Sequence, residues 1–214
     1  MKNNPALPAT WSEDLAYLCG LLTGDGTLPN RVLKHKSGRL QRRYEIVFIS
    51  EKLDFIKEVY QPIFKELFGI PPYITTDIKN RKKPKYMCRL ESKILYNYLS
   101  DTLKLSSGKK ARIAKVPPMP KELEIYFLAG LLDTDGGKKG SGFGFTTASP
   151  YLAEFVSQKF KELDFQFKST PWKFKEYVYH QIYVPRKKLQ NFDSLIPLRN
   201  KEKIEVVERL TKSK

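Results

Sequence analysis

The stretch FLAGLLDTDG, residues 127–136, is an apolar run of helical composition that stops on Asp-Gly, and YLCGLLTGDG, residues 17–26, does the same earlier in the chain. One such helix would be ordinary; two need a common cause. In each, small residues stand four apart, Gly20 and Gly24 in the first, Gly130 and Thr134 in the second. That spacing lets two helix backbones approach closely. Ser12 or Thr10 is placed to cap the first helix ahead of Glu13 and Asp14. Gly26 and Gly136 stand where a left-handed residue commonly ends a helix. Asp25 and Asp135 just before them meet the negative end of the helix dipole, which disfavours a carboxylate by about 0.3–1 kcal/mol. If the helices pack in parallel about a pseudo-twofold axis, the two carboxylates also repel each other. A bound divalent cation would remove both penalties.

The segments downstream repeat as well. YEIVFIS, a strand-like run, precedes SEKLDFIKEVYQPIFKELFG, whose apolar residues fall on one helical face. GFGFTTAS precedes SPYLAEFVSQKFKELDF in the same way. Two strand-like runs follow in each half, YITTDIK and KYMCRLE, then FQFKST and YVYHQIYV. Short helical stretches, SKILYNYL and RKKLQNF, close the halves. The sequence therefore predicts α/β (α+β) architecture built from two αββαββα halves, 1–104 and 121–214. The Ser, Gly, Lys and Pro of 105–120 predict a linker.

The chain has 214 residues, 41% of them hydrophobic, enough for a buried core, and a formal net charge of +16. That excess favours a polyanionic partner, since each Lys or Arg laid on a phosphate releases counterions. No apolar run reaches the roughly 18 residues of a membrane span, and the start lacks a signal-peptide pattern. An intracellular protein without a membrane partner is expected. Cys19 and Cys88 have no metal-site or disulfide-framework spacing, so they read as small buried residues. With His35 and His180 the only histidines, chemistry built on a histidine cluster is nearly excluded.

LCGLLTGDG at 18–26 and LAGLLDTDG at 128–136, with the same element order after each in a strongly basic chain, resemble the LAGLIDADG homing endonucleases in their single-chain form. The resemblance covers nearly the whole chain. It implies a monomer whose two antiparallel sheets form a saddle on double-stranded DNA and which cuts both strands of a long site. Thr23 departs from the acidic residue often found there, whereas Asp133 keeps it. The last acid of each motif, Asp25 and Asp135, is the metal ligand that the resemblance implies, holding Mg²⁺ or Mn²⁺. Hard, oxygen-preferring ions suit such a pair. Basic residues near the ions are implied too, and by position Lys93 and Lys187 correspond to each other in that role. Lys138, just past the second motif, is a further candidate. Ser50 or Glu51 and Thr147 or Ser149 mark the region of a water-orienting polar residue.

Base readout is expected from the strands, because a two-stranded ribbon fits the major groove and alternation decides which side chains face it. The outward sets are Arg43 and Glu45; Tyr73, Thr75, Asp77 and Lys79; Lys85, Met87 and Arg89; Lys168 and Thr170; and Tyr177, Tyr179, Gln181 and Tyr183. The charged stretches 31–43, with Arg31, Lys34 and Arg42, and 79–85 read as loops contacting phosphate. Lys138 joins them as a DNA contact. One alternative is a non-cleaving relative, such as a maturase bound to intron RNA or a DNA-binding regulator. An intein would need splicing residues that MKNN and TKSK do not supply. A purely structural ribosome-associated protein would leave the paired Asp-Gly helices unexplained.

Overall fold

The computed structural model describes residues 4–34, 37–77, 84–108 and 110–212. At its centre are α1 (Glu13–Gly24) and α5 (Glu124–Asp135), which pack on each other more extensively than any other pair of elements. Residues 15–23 of α1 are all buried, as are 127–133 of α5. A helix apolar on every side is stable only inside a core. Ser12 caps α1, accepting from the Leu15 amide at 3.2 Å. The glycines explain the closeness. A Cβ on Gly20 would lie 2.2 Å from the Phe127 carbonyl oxygen, and one on Gly130 would lie 2.2 Å from that of Tyr17. This reciprocal contact sets the helices parallel, with Gly24 against Thr134.

The chain leaves each helix differently from the expectation of a left-handed cap. Asp25 has φ −85° and ψ 3°, with β1 starting at Gly26, and Gly136 is itself extended at φ −71° and ψ 162°, so neither glycine adopts a left-handed conformation. Glycine is needed for space: a Cβ at Gly26 or Gly136 would come within 2.5 or 2.3 Å of Leu22 or Leu132 backbone atoms.

After α1 come β1 (Gly26–Thr27), β2 (Asn30–Lys34) and β3 (Leu40–Ser50). The helical run that follows comprises α2 (Leu53–Phe55), a π-helical turn (Ile56–Tyr60) and α3 (Gln61–Phe68). Pro62 lies at the start of α3, where its ring would clash with a regular preceding turn, and the wider π turn accommodates it. Strands β4 (Tyr73–Asp77) and β5 (Lys85–Glu91) and helix α4 (Lys93–Asn97) complete this set, with a second π turn at Tyr98–Thr102. The second set runs α5, β6 (Gly137–Lys139), β7 (Gly142–Thr147), α6 (Pro150–Glu162), β8 (Lys168–Phe174), β9 (Tyr177–Pro185) and α7 (Phe192–Leu195). The two antiparallel sheets have matching orders, β1-β3-β5-β4 and β6-β7-β9-β8.

Within the stretch expected as a loop, residues 31–34 and 40–43 are strand: β2 pairs with the start of β3, from Asn30 opposite Tyr44 to Lys34 opposite Leu40. Strand β8 continues through Pro171 to Phe174 instead of stopping at Thr170, which an edge strand allows. Beyond the elements that the sequence pattern predicts, α8 (Lys201–Lys212) buries Val207 and packs Val206 and Leu210 on the core. None of the helices among the described residues is long and apolar enough to cross a membrane.

One face of each sheet covers the core. Ile46, Phe48 and Cys88 are buried in the first, Phe143, Phe145, Ile182 and Val184 in the second. The other faces carry the polar sets. The segments that end the two sets cross over. Ala114 accepts from Ser149 Oγ at 2.6 Å, and Lys115 lies over the Tyr151 ring at 4.1 Å. In return, Glu202 pairs with Lys52 at 3.0 Å and Lys201 with Glu58 at 2.6 Å. Gly20→Ala and Gly130→Ala are expected to cost about 1–3 kcal/mol or more through overpacking, lowering the thermal midpoint by at least several degrees. Gly137→Ala, whose Cβ meets nothing within 4 Å, should leave it nearly unchanged in the same calorimetric comparison.

Candidate active site

Because α1 and α5 run parallel, their C-terminal ends coincide and bring Asp25 and Asp135 onto one floor. A Cβ on Gly24 would lie 3.3 Å from Asp135 Oδ2, so this carboxylate reaches across to α1. Both aspartates are open to water on one side and closely surrounded by protein on the others. That partial enclosure raises both carboxyl pKa values. For Asp135 burial acts first and the charge of Asp25 second, pushing it up to about 6. For Asp25 burial raises the value against the pull of Lys110, Lys203 and Lys85.

The lysines at this floor are Lys110 and Lys203, one from each crossing segment. Lys110 Nζ donates to the Leu22 carbonyl near the end of α1. Lys203 Nζ donates to the Gly136 carbonyl at 2.5 Å, just beyond α5. Each meets the carbonyl-rich end of a helix, where a cation is favoured. Both lower the carboxyl pKa values of Asp25 and Asp135. Burial lowers Lys110 itself to about 8, despite the opposing pull of Asp135 and Asp25. The positive charge that offsets the crowded carboxylates is therefore partly the protein's own.

A cavity of about 370 Å³ opens beside Asp25, lined by Ser50, Glu51, Lys85, Thr134 and Lys203 among others. Ser50 and Glu51 thus reach the region expected of them. Thr147 and Ser149 instead serve the fold: Thr147 Oγ1 accepts from the Ser149 amide at 3.0 Å, and Ser149 caps α6 while donating to Ala114. The structure does not bring Lys93 or Lys187 to the aspartates. Lys93 begins α4 and lies 5.7 Å from the Tyr44 ring. Lys187 sits in a 3₁₀ turn (Arg186–Lys188) beside another cavity, with Gln166 and Lys168. Position after the last strand of each half misled because the chain must run on through the crossing segments before returning to the floor. At the second motif, Lys139 acts on Asp135 electrostatically and shares the free sheet face, opposite Gly142; Lys138 is placed opposite core-facing Phe143.

Asp133 has a different task. Its Oδ2 accepts from Tyr17 Oη at 2.6 Å, the Arg199 amide at 2.7 Å and the Asn200 amide at 3.2 Å. The Asn200 side chain returns a bond to the Asp133 carbonyl at 3.0 Å. Burial still outweighs these bonds and pushes the Asp133 carboxyl up to about 6. Arg199 meanwhile covers the Tyr17 ring at 4.3 Å and pairs with Asp14 at 2.5 Å. This knot anchors the start of α8, and with it Lys203.

On the free sheet faces, cross-strand register places Arg43 opposite Arg31 and Glu45 opposite Glu91. It likewise aligns Tyr73 with Arg89, Thr75 with Met87, and Asp77 with Lys85. In the second sheet Lys168 and Tyr183 pair, as do Thr170 and Gln181. Tyr177 and Tyr179 continue that face toward the hairpin tip. Glu45 is not an outward reader: it is 4% exposed, with Arg89 at 3.5 Å and Arg31 at 4.0 Å. It orients two arginines. Lys34 and Arg42 fall on the alternate face of the β2-β3 hairpin. Lys79 lies outside the described residues.

Residues 122–197 match the family of LAGLIDADG-like domains. That span, and no more of the chain, is similar to a LAGLIDADG-like domain. The matched span contains α5 and its motif; α1 carries the earlier copy. No curated protein matches the sequence. Among solved structures, mesophilic variants of the homing endonuclease I-DmoI are similar over 88% of this chain and 97% of theirs, at 22% identity and TM-score 0.62. I-DmoI in complex with DNA and Ca is similar over 92% and 97%, at 23% identity and TM-score 0.62. The meganuclease I-SmaMI, bound to uncleaveable DNA, is similar over 94% and 90%, at 14% identity and TM-score 0.59. The fold of these endonucleases thus extends over nearly the whole chain, α1 included.

The donor set at the ends of α1 and α5 fits a hard divalent cation: two water-accessible carboxylates, each made costly by enclosure. No larger cluster of metal-binding side chains occurs among the described residues. Two aspartates only two residues apart should therefore respond oppositely. Asp133→Ala strands three donors and is expected to cost about 1–3 kcal/mol, seen as a lower denaturation midpoint. In metal-free buffer at neutral pH, Asp135→Asn removes a disfavoured charge and should raise that midpoint.

Proposed function

We propose that the protein is a site-specific endonuclease that hydrolyses both strands of a long double-stranded DNA site with Mg²⁺ or Mn²⁺ held by Asp25 and Asp135. The reading treats 1–104 and 121–214 as two pseudo-symmetric halves joined through 105–120, acting as a monomer. The observation that carries it is the convergence of Asp25 and Asp135 at the adjoining ends of α1 and α5, with Lys110 and Lys203 beside them. Two free sheet faces of a chain with net charge +16 flank that floor. Phosphodiester hydrolysis needs an activated water and relief of charge on the phosphate and the leaving oxygen. The bound metal supplies water activation and charge neutralisation.

The chain's own residues supply the rest. Asp25 and Asp135 lie one on each motif helix, which suits two scissile phosphates on opposite strands. Lys110, held near 8 by burial, and Lys203 are the cations this reading assigns to the negative charge that develops on the phosphate. Fixed donors at such a position are worth about 10²–10³ in rate. The knot around Asp133 keeps Lys203 in place. Arg31, Arg43, Lys85 and Arg89 of the first sheet and Lys168, Thr170 and Gln181 of the second position and read the duplex, through phosphate contacts and major-groove edges.

The test is a DNA library incubated with Mg²⁺ or with EDTA, followed by sequencing of the ends. Wild type should cut at one long site with metal alone. Asp25→Asn and Asp135→Asn should each abolish cutting yet still retain the duplex in a filter assay. Lys110→Met and Lys203→Met should slow single-turnover cleavage about 10²-fold with little change in binding. Retention of duplex or intron RNA without cutting under any metal would replace this reading with a non-cleaving binder.

A further inference from the structure

The free faces of the two sheets differ in chemistry. In the first, Arg31, Arg43 and Arg89 are arranged around Glu45 and Glu91. In the second, register puts Trp172 opposite Tyr179 and Phe174 opposite Tyr177, on the same face as Thr170, Gln181 and Tyr183. Trp172 stacks on Tyr179 with ring centroids 4.8 Å apart and planes 19° apart, and Phe174 follows at 6.4 Å. Arg112, from the crossing segment, sits 4.4 Å from the Tyr177 ring. A cross-strand aromatic pair steadies a hairpin by about 0.2–1 kcal/mol, which accounts for one stack. It does not account for Trp172 at 45% and Phe174 at 54% exposure on one continuous ring surface.

That surface needs an apolar partner within a polyanionic surround, because Lys168 shares the face and the chain carries +16. In the major groove, the apolar group on a base edge is the C5-methyl of a pyrimidine, found on thymine and on 5-methylcytosine. We infer that Trp172 and Phe174 are specificity-determining residues that read pyrimidine C5-methyl groups in the half-site bound by the second sheet. The inference rests on the DNA-binding reading above, and it makes the two half-sites unlike: one read by arginines, the other by rings.

The experiment selects duplexes from a randomised library with the full chain under Ca²⁺, which tests binding without cutting. Each thymine of the second half-site is then replaced by deoxyuridine, which deletes the methyl alone. The expected result is a thymine-rich second half-site in which one critical replacement weakens binding about fourfold, as loss of one buried methyl would. Trp172→Ala or Phe174→Ala should bind the selected duplex more weakly and lose sensitivity to that replacement. Trp172→Phe, which keeps a ring and the fold, should retain sensitivity. Substituting cytosine or 5-methylcytosine, each paired with guanine, at the critical position tells the two sources apart: affinity restored by the methylated base alone assigns the methyl itself. Unchanged affinity with deoxyuridine throughout, or full methyl sensitivity in both alanine variants, overturns the inference while leaving DNA binding intact. Failure to enrich any duplex would overturn the DNA-binding reading and this inference with it.

Discussion

The backbone contact between Gly20 on α1 and Gly130 on α5 is the constraint on which the rest of the molecule depends. Two helices can approach this closely only where neither carries a Cβ at the crossing. Because the contact is reciprocal, it fixes their direction and their longitudinal register together. Register then decides where Asp25 and Asp135 come to rest, and the helix exits decide where the two sheets begin. A larger separation would leave two ordinary helix ends. The observed one makes a single acidic floor between two sheets.

The floor is costly in charge, and the protein answers from a distance along the chain. Lys110 and Lys203 come from segments far from either motif, yet each binds a carbonyl at the end of one of the two helices. They offset the dipole and the carboxylates together. Asp133 adds a different kind of support: a buried acceptor that fastens the chain just ahead of α8. Thr23 occupies the matching place in the first motif, so the two sides of the floor are supported by different bonds.

Much of this was legible in the sequence. Small residues four apart on two apolar runs ending in Asp-Gly carried the helix pair, and repeated alternation carried the sheets and most of their free-face residues. What was not legible depended on tertiary paths. Lys110 and Lys203 share no local pattern, since their places follow from the crossing of the two terminal segments. Lys93 and Lys187 share a sequence position and still lie away from the floor. Glu45 alternates correctly but is withdrawn from solvent by two arginines that only the folded sheet assembles. Trp172 and Phe174 were hidden behind Pro171, which reads as a strand end unless the strand is known to be an edge. Helix α8 could have been found from the spacing of Ile204, Val207 and Leu210.

The exchange of terminal segments has a consequence for how the chain is made. When residues 1–104 have emerged during synthesis, the apolar surface of α1 has no α5 to cover it, and the Lys52 and Glu58 side chains lack their partners at 202 and 201. The second set of elements likewise depends on Ala114 and Lys115, which precede it. Neither set is complete until the last helix has been released, so the contacts that finish the molecule span almost its full length. Such long-range closure slows folding and prolongs exposure of apolar surface. It also makes the protein an interlocked unit, in which loss of α8 would loosen the floor formed by the first motif as well as the second.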